Sequence, residues 1–217
     1  MNTIAAVLLD LYDTLAWTEW PAMRGYVERR VGVSEARLLD AYVRTRPERS
    51  LGRFGGLEGD LRAVLQAAGV DPDPGTIRDL VERTETFLAE GVHLWDDALP
   101  VLRGLRERGV RTAIVSNCDH GTRGVVERLG LEEETDAVLL SFEVGTAKPD
   151  AGIYRAALEA LGAAAHESLF VDDQVPYCDG AAALGLRTAL LARDPEADLG
   201  SGAHRVIRSL GELLDLI

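Results

Sequence analysis

The chain has 217 residues, 47% of them hydrophobic, and a formal net charge of −13. That length can bury a full core, as one large domain or as a core with a smaller insert, and the acidic balance excludes a nucleic-acid partner, which needs a basic face. Two cysteines, Cys118 and Cys178, are too few for a disulfide framework; with no apolar stretch near ~20 residues and an N-terminal apolar run too short and unflanked for a signal peptide, the expectation is a cytoplasmic protein with no membrane partner.

The first element is the apolar run from Ile4 to Leu9, which ends abruptly at Asp10. A short run of this kind fits a strand buried on both faces of a parallel sheet. Ligands bind beyond the carboxyl ends of such strands, so Asp10 stands either where chemistry occurs or as a plain turn-forming cap. Residues 16–91 read as helices only: Trp17 to Val31, Ser34 to Val43 with Ser34 as a cap, Leu61 to Ala68, and Thr76 to Ala89. A Gly-rich loop is expected from Arg49 to Gly59, and a turn at Asp71 to Gly75.

From residue 96 strands and helices alternate. Helices are expected at Ala98 to Arg108, Thr122 to Leu129, Pro149 to Leu161 with the proline in its first turn, and Ala181 to Leu184. Strands are expected at Val110 to Val115, Ala137 to Leu140, Leu169 to Val171 and Arg187 to Leu191, with an edge strand at Val206-Ile207 and a helical turn at Leu210 to Leu214. The alternation implies right-handed crossovers and an α/β fold with a doubly wound parallel sheet.

Four polar clusters follow strands or open a helix: Asp10, Ser116-Asn117, Lys148-Pro149 and Asp172-Asp173. A parallel sheet brings such positions to one edge. They would supply a carboxylate nucleophile, small donors, a cation and a carboxylate pair suited to a hard divalent ion such as Mg²⁺. That inventory suits phosphoryl transfer through an aspartyl intermediate. Lys148 is the one lysine among 23 basic residues; either it marks a place for a compact ammonium rather than a planar guanidinium, or it survives by chance in an arginine-biased chain.

In order and spacing, Asp10-Leu11-Tyr12-Asp13-Thr14-Leu15, Ile114-Val115-Ser116-Asn117, Lys148-Pro149-Asp150 and Phe170-Val171-Asp172-Asp173 resemble the motifs of the haloacid dehalogenase-like (HAD) hydrolase superfamily. The helical insertion after the first strand resembles the C1-type cap of its subfamily I. The resemblance implies a Rossmannoid core at 1–15 and 92–217 and an α-helical cap at 16–91, with strand 4–9 lying between strands 110–115 and 169–171. Carried over residue by residue, it implies Asp10 as nucleophile, Ser116 on the phosphoryl oxygens, Lys148 steadying both, and Mg²⁺ held by Asp10, Asp172, Asp173 and the Tyr12 carbonyl. The partner would be a small phosphorylated molecule.

The chain departs from the family's phosphatases at Tyr12, where they usually have an acid/base Asp. Tyr at this place, and Tyr154 six residues after Lys148, resemble the L-2-haloacid dehalogenases, whereas the Asp172-Asp173 pair does not. Mg²⁺-dependent phosphatase, metal-independent dehalogenase, and weakly active or non-catalytic phosphate-binding protein all stay open at this point. Trp17, Trp20 and Arg53 are candidate substrate contacts together with Tyr12 and Asn117; the alternatives are cap-core packing for the tryptophans and a solvated basic face for Arg46, Arg49 and Arg53. His120 is a further candidate near the second motif, and both cysteines read as small inert hydrophobes.

Overall fold

A computed structural model describes residues 4–196, 199 and 202–217. The strands are β1 (Ala6–Leu9), β2 (Ala16–Thr18), β3 (Val92–Leu94), β4 (Arg111–Ser116), β5 (Ala137–Leu140), β6 (Ser168–Asp172), β7 (Arg187–Leu191) and β8 (Arg205–Ile207). Four helices lie between β2 and β3: α1 (Trp20–Val31), α2 (Glu35–Ser50), α3 (Leu57–Ala67) and α4 (Pro74–Glu90). The later helices are α5 (Ala98–Glu107), α6 (Thr122–Arg128), α7 (Leu131–Glu134), α8 (Ser141–Val144), α9 (Ala151–Leu161) and α10 (Val175–Ala183), followed by a 3₁₀ segment at Leu210–Asp215.

Six strands form one parallel sheet in the order β5-β4-β1-β6-β7-β8, so β1 is central, flanked by β4 and β6. Its side chains alternate between two cores. Val7 and Leu9 join Ile114, Val171, Leu102 and Leu105 on one face. Ala6 and Leu8 join Val115, Phe170 and Tyr154 on the other. Every β1 residue is sealed from solvent, each leucine contributing roughly 1.5–3 kcal/mol of burial. That double burial is why the run carries no polar alternation.

The helices-only reading of 16–91 is corrected at its edge. Ala16–Thr18 is a strand, paired antiparallel with Val92–Leu94 in the register Ala16↔Leu94, Trp17↔His93 and Thr18↔Val92. Both chain passages into the helical layer are thus hydrogen-bonded to each other. The layer has its own core, built on Met23, Val27, Leu38, Leu61, Leu65 and Leu80.

Other boundaries moved for local reasons. Helix α2 continues past residue 43 and through Pro47 to Ser50. Pro47 lacks the donor that would serve Val43 O, and the two carbonyls before that one take side-chain donors, Thr45 Oγ1 to Ala41 O at 2.8 Å and Arg49 Nη2 to Tyr42 O at 3.1 Å. Helix α3 starts at Leu57, inside the expected loop. Helix α4 starts at Pro74, because Asp73 caps it by accepting from the Gly75 and Thr76 amides at 2.8 and 3.0 Å. Helix α9 starts at Ala151, not at Pro149, which follows a cis peptide bond to Lys148. Helix α10 begins at Val175, well before the expected Ala181. Among the described residues no helix is long and apolar enough to cross a membrane.

Candidate active site

The carboxyl ends of β4, β1 and β6 lie side by side. Asp10 directly follows β1, and its amide donates to Val171 O at 2.9 Å, which locks the turn to β6. Asp172 ends β6, and its Oδ1 accepts from the Gln174 amide at 2.8 Å. Lys148 lies between the two acids. Its Nζ donates to Asp10 Oδ1 at 2.5 Å and to Asp172 Oδ2 at 2.6 Å, and its side chain is fully buried. Helix α10 packs closely on this segment at Gly180, where a Cβ would lie 2.6 Å from Pro149 O.

Asp173 completes an acidic cluster. One carboxylate oxygen from each of Asp10, Asp172 and Asp173 lies within 4.8 Å of the other two. One ammonium cannot balance three carboxylates, of which Asp10 and Asp172 are buried and Asp173 is half-buried. Burial first, and Asp172 beside it, push Asp10 up to about 7 against the opposing pull of Lys148. Burial likewise pushes Asp172 and Asp173 up to about 6. Burial also works against the Lys148 charge, but Asp10 and Asp172 outweigh it and hold the ammonium protonated.

The donor set fits Mg²⁺: hard carboxylate oxygens, a surplus of negative charge, and an Asp173 Oδ1 that is buried without a hydrogen-bond partner. A carboxyl whose native pKa is raised stabilises the fold below its unfolded value near 3.8 and loses that contribution as pH rises through about 6 to 7. The metal-free protein should therefore melt lower at pH 8 than at pH 5.5, and Mg²⁺ should raise Tm more at pH 8 than at pH 5.5. A Mg²⁺ shift that is equal at the two pH values would show that these carboxylates do not take the ion.

Ser116, at the end of β4, is buried with its Oγ free of any protein partner. Asn117 does something the sequence did not reveal. Its Nδ2 donates to Lys148 O and its Oδ1 accepts from Lys148 N, both at 2.7 Å. The amide expected to contact substrate is therefore committed to the Lys148 backbone.

Tyr12 turns its hydroxyl to Thr122 Oγ1, 3.2 Å away, and burial raises its pKa. Asp13 takes the left-handed conformation at φ 63° in the turn, a place Asp tolerates better than most residues. Both line a cavity of about 410 Å³ above Asp10, along with Ser116 and Asn117.

Two expected contacts fall elsewhere. Trp17 is in the β2–β3 ribbon, stacked on His93 at 4.6 Å and near Trp95 at 6.2 Å, not on the cavity wall. Its strand register turns it to that ribbon neighbour. Arg53 is exposed in the loop after α2 and does not line the cavity, whereas Arg46 and Arg49 do. Trp20 also lines it, while packing on Phe87 at 5.0 Å. Tyr154 is fully buried, with its hydroxyl donated to Tyr177 O at 2.7 Å. His120 does not line the cavity; it shares a 2.7 Å hydrogen bond with Asp60 and stacks on Phe142. Burial pushes the Cys118 thiol up to about 12 and raises that of Cys178, so neither is a ready thiolate. Asp60, Asp119 and Gln174 also line the cavity without any sequence signal that marks them.

Fold and site together define the class: a doubly wound α/β protein with an acidic, lysine-bridged centre at the carboxyl edge of its sheet. The family model of haloacid dehalogenase-like hydrolases matches residues 4–185, and the chain belongs to that family of hydrolases. It is similar to the phosphatase MT3486 of Mycobacterium tuberculosis, with 30% identity over 98% of each chain. It is 34% identical to the ribulose-1,5-bisphosphate 5-phosphatase of Halopiger xanaduensis over 72% of this chain and 70% of that one. Among solved structures, the L-2-haloacid dehalogenase from Xanthobacter autotrophicus superposes with a TM-score of 0.72 at 22% identity, covering 99% of this chain and 98% of that one. A HAD phosphatase from Thermococcus onnurineus gives 0.70 at 22% identity over 97% and 96% of the two chains. These likenesses show the shared fold.

Proposed function

We propose that the chain is a Mg²⁺-dependent phosphatase that acts on a small phosphate ester through an aspartyl-phosphate on Asp10. The observation that carries this reading is the lysine-bridged cluster Asp10–Lys148–Asp172 with the free carboxylate oxygen of Asp173 beside it. The relatives named as phosphatases support it. An Asp10 oxygen attacks phosphorus and the bond from phosphorus to the alcohol oxygen breaks; that oxygen takes up a proton. Water then attacks the acyl phosphate, releasing phosphate and restoring the carboxylate. Lys148 fixes Asp10 and offsets its charge, and the Ser116 hydroxyl is free to donate to a phosphoryl oxygen. Asp10, Asp172, Asp173 and the Tyr12 carbonyl would hold Mg²⁺, which when bound supplies charge neutralisation to the phosphoryl group. The helical layer above the cavity acts as a cap over residues 16–91 that excludes water during turnover.

The test is a panel of phosphate esters and short 2-haloacids with and without Mg²⁺. Phosphate release that needs the ion supports the reading. Halide release undiminished by a chelator would overturn it in favour of a dehalogenase.

Tyr12 leaves the site without the usual acid/base carboxylate. A buried phenol held by Thr122 is a poor base, so aryl and acyl phosphates should turn over faster than alkyl phosphates and phosphoenzyme should accumulate. Tyr12→Asp is expected to speed alkyl phosphates by up to ~10²-fold, with less gain on aryl phosphates. A paired comparison with trapped phosphoenzyme checks this. If the variant gains nothing and the unaltered protein already cleaves alkyl phosphates well, Asp13 on the cavity wall is the next acid/base group to replace.

A further inference from the structure

The cavity has two unlike ends. Its floor is polar, set by Asp10, Ser116 and Gln174. Its roof comes from α1 to α4 and presents Trp20, Leu39, Tyr42, Val43, Leu57 and Leu61. Residues 39, 42, 43 and 46 share one face of α2 by helical spacing. Leu39 is 40% exposed and Val43 70% exposed, although both are large and apolar. A single exposed valine has no meaning, but a set of apolar groups facing one reactive carboxylate does.

The charged groups that reach this roof are engaged elsewhere. Arg49 donates to Asp119 at 2.7 Å and covers one face of the Tyr42 ring at 5.2 Å. Asp60 is bonded to His120 at 2.7 Å, and Arg24 lies 3.3 Å from Glu35. Trp20 and Tyr42 stand 6.2 Å apart at 58°, an aromatic corner. The polar exceptions are Ser50, the Thr84 hydroxyl, the second Asp60 oxygen, Arg46 and the Nε of Arg24, which is buried near Glu35 without a hydrogen bond. The Thr84 hydroxyl and that Asp60 oxygen are sealed from solvent, and Arg46 is exposed at the rim.

We infer that the phosphate ester this site takes carries an uncharged, mainly apolar alcohol with a ring or flat part, rather than a sugar or a second phosphate. This rests on the phosphatase reading above. An apolar alcohol would exchange water for the roof's aliphatic and aromatic surface. A polyol would have to strip water from several hydroxyls against the same surface with few partners in return. A second phosphate would have to displace Asp119 from Arg49, compete with Glu35 for Arg24, or remain in solvent near Arg46.

The test uses non-hydrolysable phosphonates in the presence of Mg²⁺, so that binding is read apart from turnover and leaving-group chemistry. Calorimetry compares 3-phenylpropylphosphonate, 3,4-dihydroxybutylphosphonate and a phosphonate ending in a second phosphonate. The phenyl ligand is expected to bind at least ~10-fold tighter than the diol, and Val43→Asp should erase most of that ratio. Val43 is largely exposed, so its replacement should not prevent folding. Equal or tighter binding of the diol would overturn the inference and leave the phosphatase reading intact. Tightest binding of the doubly anionic ligand, lost in Arg46→Gln, would replace it with an anion site at the rim. If no phosphonate binds, the phosphatase reading and the inference fall together.

Discussion

Asp10→Asn is expected to reduce phosphate release by more than ~10⁴-fold and, at the same time, to raise the melting temperature of the metal-free protein at pH 8. The first effect follows from chemistry: an amide cannot form the acyl phosphate or serve as an anionic ligand. The second follows from the crowding of charge. Burial and Asp172 raise Asp10 to about 7, so above that pH the fold must hold an ionised carboxylate it does not favour. Between the unfolded value near 3.8 and about 7, the native state keeps a proton that the unfolded chain has lost, and stability from this group falls as pH rises. Asn is neutral throughout and removes that loss, while Lys148 keeps Asp172 as a partner at 2.6 Å. Melting curves at pH 5.5 and pH 8 should show the variant's advantage growing with pH. Activity within ~10-fold of the parent would remove Asp10 from the role of nucleophile, and a lower Tm at pH 8 would mean that Lys148 needs both acids to stay buried.

The sequence disclosed this centre because each of its parts is a local signal. An apolar run that stops at a carboxylate occurs at Leu9-Asp10 and again at Val171-Asp172, and a doubly buried strand needs no partner information to be recognised. The central place of β1, between β4 and β6, was implied by the resemblance of the four motifs to the haloacid dehalogenase-like family and not by the alternation of strands and helices, which gives a parallel sheet but no strand order. What failed depended on contacts distant in sequence. Strands β2 and β3 have three residues each, too few for a period, and exist by pairing with each other across the whole helical layer. Trp17 was drawn to that ribbon by its register opposite His93, so its nearness to the first motif misled. Asn117 closes the second motif beside the expected donor Ser116, yet its partner is the Lys148 backbone. The helix expected to end at Val43 runs on through Pro47 to Ser50, where Arg49 pairs with Asp119 in the loop after β4. The pairs Arg49–Asp119 and Asp60–His120, which join the helical layer to the loop after β4, have no sequence signature at all.

Lys148→Met and Lys148→Arg are both expected to cost ~10²–10³-fold in turnover, for opposite reasons that stability separates. The Lys148 ammonium touches Asp10 and Asp172 at 2.5 and 2.6 Å with no exposed side-chain surface. Met fills the stem but leaves two buried carboxylates without their cation, a loss of about 3–5 kcal/mol for a broken buried pair. Those carboxyls, already raised to about 7 and 6, would rise further. Their protonation at pH 5 then relieves the strain, so the Tm deficit of the Met variant should shrink from pH 8 to pH 5. Arg keeps the charge, but its planar head is too large for a slot between two acids and the rings of Tyr177 and Phe170, which lie 4.9 and 5.5 Å from Nζ. Overpacking costs about 1–3 kcal/mol and does not depend on pH in this range, so the deficit of the Arg variant should persist at pH 5. Thermal melts at the two pH values, with phosphate release measured on the same preparations, give the comparison. Near-normal turnover and Tm in Lys148→Arg would show that charge alone is needed there and that the slot is less confined than its distances imply.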